Sequence, residues 1–193
     1  TVYLSFPSCS SREALVQNTY TVYDLKRGNY VEDSSFVYSL PYAKSKKYRL
    51  VQAYHAKHLS HQNVFALDFK MPTGSAIHAA REGVVIQVKE NSNIGGLGDE
   101  YYGQGNNIII EHKDHTFSGY WHLKKEGAAV VLGQNVKQGM LIGYSGNTGY
   151  SAFPHLHFFV FTRKNGIRES LPSRFDTNKG VRYLKPGMKY TSK

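Results

Sequence analysis

From about residue 65 onward, apolar and polar positions alternate in short runs broken by glycine and proline. Segments 65–70, 76–80, 83–88, 107–112, 116–122, 140–144 and 155–162 show the two-residue period or the short apolar run of a strand. The breaks fall at Met71-Pro72-Thr73-Gly74, Gly95-Gly96, Gly103 to Gly105, Gly133, Gly139 and Gly146 to Gly149. No amphipathic helix intervenes, so the pattern predicts an all-β fold with an antiparallel sheet or sandwich core. Upstream, Tyr20-Thr21-Val22-Tyr23 and Ser35-Phe36-Val37-Tyr38 read as strands, with turns at Arg27-Gly28-Asn29 and Leu40-Pro41 and one short helical candidate near 11–17. The chain therefore divides, as read, into a β-rich extension over 1–50 and a second unit over 51–193. That unit ends in a basic tail with one more strand near 181–184.

Composition reinforces the strand reading: 15 Tyr, 10 Phe and 18 Gly among 193 residues favour strands and turns. No apolar run approaches the roughly 18 residues of a membrane-spanning helix. The single cysteine, Cys9, forms no internal disulfide and leaves the compartment open. A net charge of +10 favours polyanionic partners, either nucleic acid or the anionic polymers of a bacterial envelope. No helix-turn-helix, zinc-finger or RNA-recognition pattern is present, so nucleic acid is not the expected partner. The start at Thr1 reads as a mature protein after leader removal, and a monomer is expected.

Candidate chemistry lies in the histidines. His155-Leu156-His157 opens a strand, so its two imidazoles project from one face, roughly 6.5–7 Å apart. That spacing suits one ligand to a metal with the other acting beside it. Phe65-Ala66-Leu67-Asp68-Phe69 places a carboxylate in an apolar strand, where an unpaired charge costs several kcal/mol to bury. Either a Lys or Arg partner or a metal cation would satisfy it. Just upstream lie His55, His58 and His61. One carboxylate and two imidazoles form a normal catalytic zinc set, with a fourth position left for water. His122 follows Tyr120-Trp121 on another strand.

Taken together, His61…Asp68, Tyr120-Trp121-His122-Leu123 and His155-Leu156-His157-Phe158 resemble the lysostaphin-like, or LytM-type, peptidases of family M23. The resemblance extends to Ala79-Ala80-Arg81-Glu82-Gly83-Val84-Val85, Gly105-Asn106-Asn107-Ile108 and Gly143-Tyr144-Ser145-Gly146-Asn147-Thr148-Gly149, and covers about residues 58–163. It implies one Zn2+ held by His61, Asp68 and His157, with His155 and His122 as the catalytic pair, and leaves open which of them is the base. The family's commonest form has its first histidine four residues before the aspartate, where this chain has Val64. His61 stands seven before and is assigned on the expectation that a turn at Asn63 folds it back, with His58 and His55 as the alternatives, otherwise placed at the cleft rim. Tyr120 and the pair Tyr101-Tyr102 are candidates to line the cleft, core or surface positions being the alternative reading of all three.

The implied activity is hydrolysis of peptidoglycan cross-links or stem peptides, in the periplasm or outside the cell. The alternatives are a non-catalytic LytM module that activates a partner amidase, and a secreted peptidase acting on Gly-rich proteins.

Overall fold

The computed structural model describes residues 33–55, 61, 63–164 and 166–193. The expectations for the strand at 20–23, the helix near 11–17, Cys9 and His58 lie outside the described residues. Among the described residues sixteen strands follow in order: β1 (Val37–Ser39), β2 (Lys47–Gln52), β3 (Ala66–Lys70), β4 (Ala76–His78), β5 (Gly83–Lys89), β6 (Gly95–Gly96), β7 (Asn106–Glu111) and β8 (Phe117–Ala128). They continue as β9 (Asn135–Val136), β10 (Leu141–Ser145), β11 (Gly149–Tyr150), β12 (His155–Lys164), β13 (Ile167–Leu171), β14 (Arg174–Thr177), β15 (Gly180–Arg182) and β16 (Lys189–Thr191). Among the described residues the one helical element is a 3-10 turn, Asp99–Tyr101. The chain is all-β.

The main sheet runs β16-β2-β3-β12-β8-β7-β5-β9 and is antiparallel throughout. Beyond Phe159 the hairpin strand β13 replaces β3 as the neighbour of β12. A parallel pair, β1 and β14, starts a small second sheet completed by β15. One face of the main sheet carries the large core: Leu67 and Phe69, Leu156, Phe158 and Val160, Tyr120, Ile108 and Ile110, covered by Tyr38, Leu40, Tyr42, Ile77 and Phe175. The other face buries a smaller cluster of Ile86, Ile109, Phe117 and Phe161, flanked by Trp121 and Phe159. Side chains alternate across a strand, so Asp68, His155 and His157 fall on this second face.

The division after residue 50 does not follow the packing. Leu50 lies inside β2, is fully buried and pairs with Phe69 of β3. Tyr38, Leu40 and Tyr42 belong to the main core, so the described part of the extension is built into the sheet unit.

Candidate metal centre and cleft

β12 runs between β3 and β8, and its register puts His157 directly opposite Asp68 on one side and Trp121 on the other. Directly opposed residues share a face, so the carboxylate and the imidazole meet: His157 Nδ1 is 2.9 Å from Asp68 Oδ1. His61 arrives from the connection before β3. Asn63 adopts φ 62° and the Val64 N–H donates to the His61 carbonyl, a turn that directs His61 toward the sheet. There His61 is fully buried, with Nε2 3.2 Å from Asp68 Oδ1 and 3.2 Å from His157 Nδ1. Its Nδ1 donates to the Ala53 carbonyl, leaving Nε2 to face the cluster.

Asp68 is 5 % exposed, and among the described residues its ion-pair partners are all histidines. The Lys or Arg partner that would explain a buried aspartate is absent from them. Burial by itself raises the Asp68 pKa, but hydrogen bonds from His157 and His61 outweigh it and hold the carboxyl well below the usual range. One ligand atom each from His61, Asp68 and His157 lies within 4.8 Å of the others. Two imidazole nitrogens and a buried anionic oxygen make a donor set that fits a borderline-soft divalent cation.

The other two histidines stand beside this set. His155 Nε2 is 3.6 Å from Asp68 Oδ1, and the His122 ring lies 4.6 Å from that of His155 and 5.7 Å from that of His157. His122 Nδ1 donates to the Thr148 carbonyl at 2.7 Å, and His155 Nδ1 to the Phe153 carbonyl at 2.8 Å. Those bonds fix the tautomer that leaves each Nε2 as an acceptor. Burial, helped by the neighbouring histidines, pushes His122 down to about 3. Burial also lowers His155, against the opposing pull of Asp68. Both rings are neutral near pH 7.

Tyr120 is not in the cleft. It is fully buried among core residues, and its hydroxyl accepts from the Ser118 hydroxyl and from the Ala80 N–H. Strict alternation along β8 would put Tyr120 on the face of His122, but His122 adopts φ 65° and is the extra residue of a β-bulge. Asn107 pairs with Trp121 while Asn106 pairs with Leu123, so parity shifts by one at His122. Tyr120 and Leu123 thus face the core, while Trp121 and His122 face the cleft.

That cleft is a groove of about 380 Å³ lined by Gln87, Lys89, Tyr102, Asn107, Trp121, His122 and Tyr150, with Gly103 and Gly105. Of the candidate pair, Tyr102 lies there and stacks on Tyr150 at 4.5 Å, while Tyr101 is not among the lining residues. Trp121, Lys89, Gln87, Asn107 and Tyr150 were missed. The signal for Trp121 was its place beside His122; the others become visible only through register. His55 is exposed and packs its ring on Phe65 at 4.4 Å, away from the cluster.

Fold and cluster together define an all-β protein whose sheet presents a carboxylate–histidine cluster able to hold a metal ion, beside two neutral histidines. The chain belongs to peptidase family M23, whose family profile matches residues 62–169. It is 32 % identical over 108 residues to the peptidoglycan DD-endopeptidase ShyA of Vibrio cholerae, a match covering 54 % of this chain and 22 % of that protein. It is 37 % identical over 114 residues to the glycyl-glycine endopeptidase ALE-1 of Staphylococcus capitis, covering 57 % and 28 % respectively. A solved zinc-containing peptidase from Vibrio cholerae superposes with a TM-score of 0.52 at 29 % identity, covering 70 % of this chain and 39 % of that one. The chain thus spans less than a third of the length of these curated relatives.

Proposed function

We propose that this chain is a zinc metallo-endopeptidase that hydrolyses peptide bonds in the cross-links or stems of bacterial peptidoglycan. The observation that carries the reading is the convergence of His61 Nε2, Asp68 Oδ1 and His157 Nδ1 beside two histidines whose Nδ1 atoms are tied to backbone carbonyls. On this reading His61, Asp68 and His157 hold the metal. Zinc held there supplies a Lewis acid for the peptide carbonyl and lowers the pKa of a coordinated water to about 7. His122 and His155 are the catalytic pair: as neutral rings they accept a proton at Nε2, and once protonated they donate from that atom to the oxyanion or to the leaving amine. The Thr148 and Phe153 carbonyls hold both rings in position through this exchange.

The names of the relatives supply the substrate class, since both ShyA and ALE-1 are endopeptidases and ShyA is named for peptidoglycan. The reading places the protein in the periplasm or outside the cell, acting as a monomer, where its +10 charge draws it to anionic envelope polymers. No helix among the described residues is long and apolar enough to cross a membrane. The peptidase unit on this reading includes β1 and β2 and runs to the C-terminus. A non-catalytic module that activates an amidase has no use for a complete donor set with two poised histidines.

The test is loss of turbidity of purified cell walls, with the metal content of the protein measured in parallel. Activity should track about one zinc per chain, vanish with a chelator and return with zinc. Full wall hydrolysis by metal-free protein, or a zinc-loaded protein that cuts neither walls nor glycyl peptides, would sink the reading.

A further inference from the structure

Successive register pairs place five residues in one row across the sheet: Asp68 opposes His157, His157 opposes Trp121, Trp121 opposes Asn107, and Asn107 opposes Lys89. Directly opposed residues share a face, so the metal-centre face continues through Trp121 and Asn107 to Lys89. Three strand spacings separate His157 from Lys89, about 14 Å. An extended peptide covers that distance in about four residues.

The groove along this row has a definite chemistry. Trp121 lies flat over Gly119, where any Cβ would overlap the indole, and stacks against Phe159 at 5.0 Å. This forms an apolar floor next to His157. At the far end Lys89 donates to the Gly103 carbonyl, which leaves two ammonium N–H groups for a ligand. Gln87 donates to Asn107 Oδ1, and Asn107 Nδ2 to the Gly105 carbonyl, so each amide retains one N–H. Among the described residues no carboxylate lines the groove. A cation, two amide donors and three aromatic rings suit a peptide chain bearing an anionic group.

We infer that this groove selects a peptide carrying a free carboxylate about four residues from the scissile bond, with Lys89 as its specificity residue. The inference rests on the peptidase reading and deepens it: acidic stem-type peptides are the favoured substrates, and uncharged glycyl bridges the poorer ones.

Two synthetic peptides test it, identical except that the distal carboxylate is free in one and a carboxamide in the other. For the zinc-loaded protein we expect kcat/KM to favour the acid by about tenfold, chiefly through KM and less so at high salt. K89M should bring the ratio near one, and K89R should retain most of it. Binding is read separately in the metal-free protein through the fluorescence of Trp121, the chain's one tryptophan, which lines the groove. The acid should bind more tightly than the amide to wild type but not to K89M. Equal binding of the two peptides by wild type, or a preference that survives in K89M, overturns the inference. Failure to cut any peptide or wall while the binding preference persists would instead count against the peptidase reading alone.

Discussion

His122 and His155 owe their proposed role to bonds made on the side of the ring away from the metal centre. Each gives its Nδ1 proton to a backbone carbonyl, Thr148 for one and Phe153 for the other, and neither oxygen can rotate away as a side chain could. Loss of either ring removes a proton carrier while the three ligand atoms stay in place. His122→Ala should therefore keep its zinc by elemental analysis while kcat falls by about 100- to 1,000-fold, the usual cost of losing one such donor. Asp68→Asn keeps the shape but removes the charge around which both ligand histidines gather. It should lose zinc and activity together, and an Asp68→Asn protein that retains stoichiometric zinc would refute the assignment of that ligand. The residues in this division were readable in the chain because strand alternation alone puts His155 and His157 on one face. Asp68 was readable because a carboxylate in an apolar strand requires a partner. Tyr120 misled for the same reason, since alternation fails where a bulge intervenes.

At the level of elements, the site depends on the β8 bulge and on the β10–β11 connection that braces it. Thr148 accepts at its carbonyl from His122, while its hydroxyl bonds the Asn106 N–H and the Leu123 carbonyl, linking the connection to both β7 and β8. Gly149 follows at φ +79°, and a Cβ there would come within 2.5 Å of Gly105 Cα and N. Backbone cannot swing aside as a side-chain tip can, and the left-handed conformation costs an L-residue about 1–2 kcal/mol more. Gly149→Ala should thus lower the urea midpoint and cut kcat more than it raises KM, because the Thr148 carbonyl moves with the loop. An unchanged kcat would show that His122 does not depend on this brace. The seven strands expected in the region 65–162 are all present, since each buries an apolar set. The strands not foreseen are β2, β6, β9, β11, β13, β14 and β16; they are two-residue pairings or segments with charged residues set among few apolar ones, as in Lys47–Gln52 and Ile167–Leu171. They are recruited by backbone pairing to neighbours, which leaves little trace in hydropathy.

Across the whole molecule, the segment around β1 is held at the end of β7 remote from the cleft by a polar network under the small sheet. Arg81, 5 % exposed, pairs with Asp114 at 2.9 Å and lies 3.8 Å over the Phe36 ring, while Asp114 also accepts the Asp33 N–H. His112 is buried beside this network, edge-on to Tyr38, with Nδ1 donating to the Glu82 carbonyl and Nε2 without a partner among the described residues. It belongs there as a neutral ring. Burial, reinforced by the Arg81 charge, pushes its pKa down from 6.5 to about 4. The unfolded chain therefore binds a proton at this residue between pH 6.5 and 4 that the folded chain refuses. The stabilisation is complete above pH 6.5 and declines as the pH falls toward 4, by on the order of 3 kcal/mol at 1.36 kcal/mol per unit. His112→Asn preserves a donor for the Glu82 carbonyl but does not titrate. Its urea-derived stability should lie below that of wild type at pH 7, where the ring's packing is lost, and the gap should narrow steadily as the pH approaches 4. Both proteins share every other titrating group, so the difference between the two curves isolates this one. Parallel curves from pH 7 to 4 would mean that His112 takes up its proton in the folded protein as readily as in the unfolded chain.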